Sequence, residues 1–339
     1  MTEALDALLK KRFFREKSRL RIAFCEIFCY NDQCKDYTKN GGREMRVEKW
    51  LAENTHSLAG RTVAITGSTG GLGRELCRYL VSLDASLILL DRNAERSQAL
   101  RAELLEQRPT ASVTCIRVDL SDMASVEEAT RRLLLAPPDI FLHNAGAYSI
   151  PRRICDTGYD NVFQINFVSP YYMIRSLLPV LRERGGHVVA VGSIAHRYSV
   201  TDPRDVDFSA RKRASLVYGN AKRYLMLALI GLFAREERVT LSVAHPGISF
   251  TNITSHYPKV IFALIKHPMK WIFMKPRIAC LSVLKGVFTP CRGYEWIGPR
   301  VMDVWGSPKK KPLRSADTEE RRRIYETAER ICRELEEKK

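Results

Sequence analysis

Thr62-Val63-Ala64-Ile65 runs into Thr66-Gly67-Ser68-Thr69-Gly70-Gly71-Leu72-Gly73. The first four residues form a short apolar run, of the kind found in a strand covered on both faces. Glycines follow where a backbone turns tightly and where a pyrophosphate must come close to it. The next segment, through Leu80, predicts a helix, whose first N–H groups and positive dipole end favour phosphate. Asp91 closes the following apolar run, Ser86-Leu87-Ile88-Leu89-Leu90, 18 positions past Gly73. A glycine cluster between a strand and a helix, with an acidic residue at that distance, predicts a dinucleotide-binding turn.

Outward from this turn the pattern keeps alternating. Val113 to Val118, Ile140-Phe141-Leu142, His187 to Val191 and Thr240 to Ala244 predict strands. Helical stretches lie near 94–107, 122–135, 158–183 and 215–236. Such alternation with short connections predicts an α/β fold: a Rossmann-type doubly wound parallel sheet. Three segments are expected: a basic helical N-terminal extension over 1–58, broken at Asn40-Gly41-Gly42; a catalytic domain over 59–308; and a charged tail over 309–339. The tail begins at Lys309-Lys310-Lys311-Pro312 and carries a helix from Thr318 to Glu337.

Composition narrows the classes. The 339 residues are 45% hydrophobic and 27% charged, which excludes a largely disordered chain. No charge-free run of 18 apolar residues occurs, so no spanning helix is expected. Met1 to Leu20 lacks an apolar core and cleavage site, and Glu3, Asp6 and Glu16 argue against a mitochondrial presequence. Nine scattered cysteines predict reduced thiols in a cytoplasmic protein. Cys25, Cys29 and Cys34 lack the spacing of a zinc site, so no metal is expected.

The net charge of +17 favours anionic partners, and its distribution says which. Seven basic residues lie between Lys10 and Arg21, flanked by Leu5, Leu8, Leu9, Phe13 and Phe24 at helical spacing. From Tyr257 to Lys285, Lys259, Lys266, Lys270, Lys275 and Arg277 alternate with Phe262, Ile265, Trp271 and Phe273. Both patterns fit a helix lying on an anionic lipid surface, and the second also fits a lid over an apolar pocket. No nucleic-acid-binding motif can be placed on the chain, so nucleic acid is not an expected partner.

A second set of residues carries chemistry. Tyr218-Gly219-Asn220-Ala221-Lys222 places a phenol and an ammonium on one helical face. A nearby cation favours phenolate and would lower a tyrosine pKa from about 10. An acid so tuned can protonate a carbonyl oxygen, or deprotonate an alcohol in reverse. Gly192-Ser193 ends the fifth strand and offers a hydroxyl to the same oxygen.

The spacing Thr66-Gly67-x-x-x-Gly71-x-Gly73 resembles the short-chain dehydrogenase/reductase family, and the remaining motifs occur in order over roughly residues 60 to 305. The resemblance makes Asn166, Ser193, Tyr218 and Lys222 the catalytic set, with Asn166 holding a water that links Lys222 to solvent. It assigns the cofactor to Thr66, Gly67, Ser68, Gly71, Leu72, Gly73, Asp91 and Arg92. Asp119 and Leu120 follow at the adenine, with Asn144, Ala145 and Gly146 after the fourth strand. Tyr218, Lys222, Pro246, Gly247, Ile248 and Thr251 meet the nicotinamide half. His143 stands where the family usually has asparagine.

Asp91 would accept hydrogen bonds from both ribose hydroxyls and repel a 2′-phosphate, which favours NAD; Arg92 would serve NADP instead. Gly70, where NADP-preferring relatives often carry a basic residue, tips the expectation to NAD. The segment Ser193-Ile194-Ala195-His196-Arg197, with Asp205-Val206-Asp207-Phe208 and His245-Pro246-Gly247, looks like the retinol dehydrogenase, WW-domain oxidoreductase and protochlorophyllide reductase-like group. No WW domain is present, since Trp50 is the only tryptophan in the first 58 residues. The resemblance therefore implies an NAD(P)-dependent oxidoreductase acting on a lipophilic alcohol or carbonyl, and a homo-oligomer packed through two long helices. A catalytically idle NAD(H)-binding protein and a membrane-surface adaptor are the alternatives; intact Ser193, Tyr218 and Lys222 argue against the first.

Overall fold

The computed structural model describes residues 40–247, 274–313 and 316–337. The chain divides into two compact units, Met1–Thr55 and His56–Lys339. Within the first, α1 spans Asn40–Asn54, so the Asn40-Gly41-Gly42 sequence expected to break the extension stands at the start of a helix. The Lys10 to Arg21 cluster, Ile248, Thr251 and most of the basic apolar segment after Tyr257 lie outside the described residues.

The second unit is a doubly wound sheet. In chain order it contains β1 (Thr62–Thr66), α2 (Gly71–Ser82), β2 (Ser86–Asp91), α3 (Ala94–Gln107), β3 (Val113–Arg117), α4 (Met123–Leu135) and β4 (Ile140–His143). A short helical turn, Asn161–Phe163, passes through a π-helical turn, Gln164–Val168, into α5 (Ser169–Arg184). Then come β5 (His187–Val191), a 3-10 turn (Ile194–Tyr198), α6 (Ala214–Leu232) and β6 (Thr240–Ala244). The chain closes with α7 (Pro276–Ala279), α8 (Leu281–Phe288), β7 (Glu295–Val301), β8 (Trp305–Pro312) and α9 (Thr318–Glu337).

The strand order is β3-β2-β1-β4-β5-β6-β7-β8. Neighbours pair in parallel from β3 through to β7, and β8 is antiparallel to β7. The winding direction reverses between β1 and β4, and a crevice opens there at the carboxyl ends of the strands. The strands read as unbroken apolar runs because helices cover both faces: Val63, Ala64, Ile65, Leu87, Leu89, Phe141, Val188 and Val189 are all buried.

Two features depart from the sequence expectation. Lys309-Lys310-Lys311-Pro312 does not begin a tail; it forms half of β8, where Lys310 pairs with Glu295 and Lys311 with Asp303. An edge strand rich in lysine is protected from pairing with another sheet. The terminal helix α9 is also part of the core: Ile324, Ala328, Ile331 and Cys332 are at most 1% exposed. It packs on α6, while Glu329 accepts from Tyr171 (2.6 Å) and Arg175 on α5.

Replacing Ile331 by alanine should therefore lower the unfolding free energy by about 2–5 kcal/mol, the range for a buried branched aliphatic. Urea denaturation followed by circular dichroism measures this. A loss below about 0.5 kcal/mol, the level of an exposed position, would contradict core docking of α9.

Candidate active site

The site grows from the end of β1. Gly67 has φ +66°, and a Cβ there would lie 2.9 Å from the Ala145 Cα. A Cβ on Gly73 would lie 2.8 Å from the Ser68 Cα, so α2 reaches the turn only because this position is bare. Helix α2 has Gly70 at its N-cap and no side-chain cap, leaving its N-terminus open to an anion.

Thr66 joins the two halves of the crevice. Its hydroxyl accepts the Asn144 and Ala145 N–H groups, both at 3.0 Å, and stands 3.0 Å from His143 Nδ1. With both acceptor directions used, the hydroxyl proton goes to Nδ1, which assigns His143 the Nε2–H tautomer. Burial, with the Lys222 charge as a lesser cause, holds this histidine well below its ordinary pKa and therefore neutral. The Asn144 amide donates to the Thr66 and Gly67 carbonyls at 3.1 and 3.0 Å.

Asp91 behaves differently from expectation. It is 4% exposed, and Ser68 Oγ, Thr69 N (3.0 Å), Thr69 Oγ1 (3.0 Å) and Ser97 Oγ (3.2 Å) all donate to its carboxylate. The group expected to read the ribose is already committed to holding the glycine turn. Beside it, Arg92, Asn93 and Arg96 line the crevice. Arg96 was not named from sequence; it lies in the first turn of α3, just past the N-cap Asn93.

These elements enclose a cleft of about 510 Å³. Glycines of the turn and Asn144, Ala145 and Gly146 form its floor; Val118, Leu120 and Ile165 form apolar walls. Asp119 lines it too, with its carboxylate accepting from Ser121 N and Oγ at 2.9 and 2.8 Å. An open helix N-terminus, a bare turn, apolar walls and a basic end together fit a dinucleotide with its pyrophosphate at the turn.

The catalytic expectations converge beside Tyr148, which lines the cleft. Ser193 caps the 3-10 turn, accepting from Ala195 N at 3.2 Å, and its side chain favours the ionised form of the Tyr218 phenol. Lys222, 1% exposed, donates to the Val191 carbonyl at 3.0 Å, and its ammonium lies 5.8 Å from the Tyr218 ring centre. The balance of effects differs from the sequence argument. Burial pushes the Tyr218 phenol up to about 12, and Ser193 only partly offsets it. Burial pulls Lys222 down to about 8.

Asn166 sits in the π-helical turn and makes three hydrogen bonds: Nδ2 donates to the Ala147 and Val162 carbonyls, both 2.8 Å, and Oδ1 accepts from Ala147 N at 3.2 Å. It pins the segment after Gly146, where a Cβ would lie 2.8 Å from Oδ1. Sequence reasoning missed Tyr148, which meets Tyr218 edge-on at 5.3 Å between ring centres. Ile150 and Leu216 pack with Tyr218 around Val162, Phe208 and Val217. Pro246 and Gly247 follow β6; Gly247 has φ +81°, and a Cβ would approach the Val304 carbonyl to 2.7 Å.

The sequence profile described as short chain dehydrogenase matches residues 61–257. Among curated proteins, the chain is 28% identical to short-chain dehydrogenase TIC 32 A, chloroplastic, of Brassica napus, over 74% of this chain and 81% of that one. It is 26% identical to mouse polyprenol dehydrogenase, covering 78% and 82% of the two chains, and 26% identical to mouse retinol dehydrogenase 14, covering 73% and 82%. Among solved structures, an uncharacterised protein from Mycobacterium paratuberculosis superposes with a TM-score of 0.66 at 23% identity, covering 84% of this chain and 97% of that one. The RhlG/NADP active-site complex of Pseudomonas aeruginosa gives 0.53 at 25% identity, with coverages of 69% and 91%.

The depressed Lys222 pKa carries a stability cost with a defined sign. Between about 8 and 10.5 the unfolded chain binds the lysine proton and the folded chain does not, so stability rises with pH across that window. Lys222→Met should therefore stabilise the protein at pH 7 by roughly 3 kcal/mol. The gain should be complete below pH 8 and vanish by about pH 10.5. Thermal unfolding of both proteins across pH measures it, and a variant less stable at pH 7 than at pH 10.5 relative to wild type would contradict it.

Proposed function

The chain belongs to the short-chain dehydrogenase family, and from that premise we propose that it reduces an apolar carbonyl, with Tyr218 as the acid and NADPH as the hydride source. The family makes it an NAD(P)-dependent oxidoreductase. The observation that carries the finer reading is the place of the Tyr218 ring, 5.3 Å from the ring of Tyr148, which lines the cleft, and 5.8 Å from the buried Lys222 ammonium, with Ser193 favouring the ionised phenol. A bound nicotinamide supplies or accepts the hydride. Ser193 holds the reacting oxygen, Tyr218 passes it a proton, and Lys222 keeps positive charge beside the phenolate that results. A phenol near 12 rests protonated at neutral pH, which suits proton donation to a carbonyl more than proton removal from an alcohol.

Cofactor choice follows from Asp91. Its carboxylate is buried and accepts four hydrogen bonds, so it is poorly placed to read a ribose or repel a 2′-phosphate. Arg92 and Arg96 line the same end of the cleft and offer two guanidinium groups to that phosphate. This geometry supports NADPH over the NAD favoured from sequence. Tyr148, Ile150 and Leu216 beside Tyr218 support a lipophilic substrate, and relatives named for retinol and polyprenol point to an isoprenoid alcohol or aldehyde. Peripheral contact with anionic lipid rests on the basic apolar sequences alone; among the described residues no helix is long and apolar enough to cross a membrane. Helix α9 packs on α6 and takes hydrogen bonds from Tyr171 and Arg175 of α5, so it occupies part of the surface these two helices would offer to a second copy.

Fluorescence titration should show NADPH binding at least about tenfold tighter than NADH, consistent with one charge-assisted phosphate contact or more. Arg92→Ala combined with Arg96→Ala should erase the difference by weakening NADPH alone. Tighter NADH binding would return the ribose contact to Asp91. With retinal as the carbonyl probe, Tyr218→Phe should lower kcat by about 10²–10⁴-fold, far more than it changes NADPH affinity. Turnover within threefold of wild type would remove Tyr218 as the acid.

A further inference from the structure

Arg223 follows Lys222 on α6 and carries no role in the proton-transfer site. Its side chain is 5% exposed, and it forms a two-pronged pair with Glu320 on α9, at 2.7 Å from Nε and 2.5 Å from Nη2. Its remaining terminal nitrogen, Nη1, donates to the His196 carbonyl at 3.0 Å. The His196 ring turns back on the catalytic serine: Nδ1 lies 2.7 Å from the Ser193 carbonyl, and the His196 N–H donates to the same carbonyl at 3.1 Å. Glu320 also accepts from Thr201 Oγ1 at 3.0 Å, just past the turn. The turn cannot drift from α6 cheaply, since Ser199 Oγ donates to the Leu216 carbonyl at 2.6 Å and a Cβ on Gly219 would lie 2.9 Å from Ser199 Oγ.

A continuous line of hydrogen bonds therefore runs from α9 through Arg223 to the backbone that carries Ser193. Helix α9 lies beyond residues 61–257, the span that matches the family profile. A buried ion pair is a poor device for stability alone, because an apolar pair of the same shape often does as well. What an apolar pair cannot do is donate to the His196 carbonyl. We propose that Glu320 and Arg223 are positioning residues through which the C-terminal helix holds the Ser193 turn in place against Tyr218. The inference rests on the proposed proton-transfer site for its catalytic meaning, though not for its test.

Hydrogen–deuterium exchange on the full-length chain reads the turn without any turnover. Glu320→Gln should speed exchange in the peptide covering residues 194–199 by about tenfold, the loss of roughly one hydrogen bond, with β4 and β5 unaffected. Glu329→Gln cuts the other anchor of α9, to Tyr171 and Arg175, and should leave 194–199 at the wild-type rate. If Glu320→Gln fails to fold, the double variant Arg223→Met with Glu320→Leu restores a neutral buried pair. It should regain stability and still exchange fast at 194–199. Slow exchange at 194–199 in the stable double variant, or equal loosening in the Glu320 and Glu329 variants, would overturn the proposal. With retinal and NADPH, Glu320→Gln should lower kcat and leave the KM for NADPH unchanged. Absence of any turnover in wild type would count against the redox reading, while the exchange result would still decide this one.

Discussion

The buried carboxylate of Asp91 is the constraint on which the site depends. It closes β2, and it gathers Ser68, Thr69 and Ser97 around itself, so the chain leaving β1 must turn where glycine alone fits. A carboxylate taken out of water this far is tolerable only if its oxygens are satisfied. Four donors do that, and in doing so they fix the glycine turn at the mouth of α2. The same bonds use up the hydrogen-bonding capacity of Asp91, and Arg92 and Arg96 line the cleft beside it. In the proposed reading, one interaction thus shapes the phosphate turn and favours NADPH.

A second constraint works at the other end. Lys222 and Tyr218 are held where neither would choose to ionise: burial lowers the lysine and raises the tyrosine. The fold carries this cost, a common arrangement where function and stability oppose one another. The surrounding structure over-determines the geometry. Lys222 is tied to the Val191 carbonyl, Asn166 pins Ala147, and Ser193 caps its own turn. Site residues thus come from the ends of β1, β4 and β5 and from α6, rigid elements joined at the point where the sheet reverses direction.

Most of this frame was legible in the sequence because its signals are local. Each strand is a contiguous apolar run, and the glycine turn, Asn144-Ala145-Gly146, Ser193 and Tyr218-x-x-x-Lys222 are short motifs whose order mirrors the order of the sheet. What escaped depends on contacts between distant segments. Asp91 could be placed at a strand end, but its partners lie 22 to 23 residues earlier and 6 later, and only folding shows that they use up the carboxylate. Tyr148 carries no pattern of its own and becomes visible only when its ring meets Tyr218. The helical period of Thr318 to Glu337 was evident, yet periodicity says which face is apolar and not what it covers. The lysines of 309–311 read as a tail because a charged edge strand has little hydrophobic signal.

The most direct test of the account is transfer of label from NADPH carrying deuterium at both positions of the nicotinamide C4 to an isoprenoid aldehyde, followed by mass spectrometry of the alcohol. The account predicts one deuterium at the former carbonyl carbon with wild-type protein and almost none with Tyr218→Phe. Tight NADPH binding with no label transferred to retinal or a polyprenal would contradict it, leaving a dinucleotide-binding fold whose Ser193, Tyr218 and Lys222 do not act on an isoprenoid carbonyl.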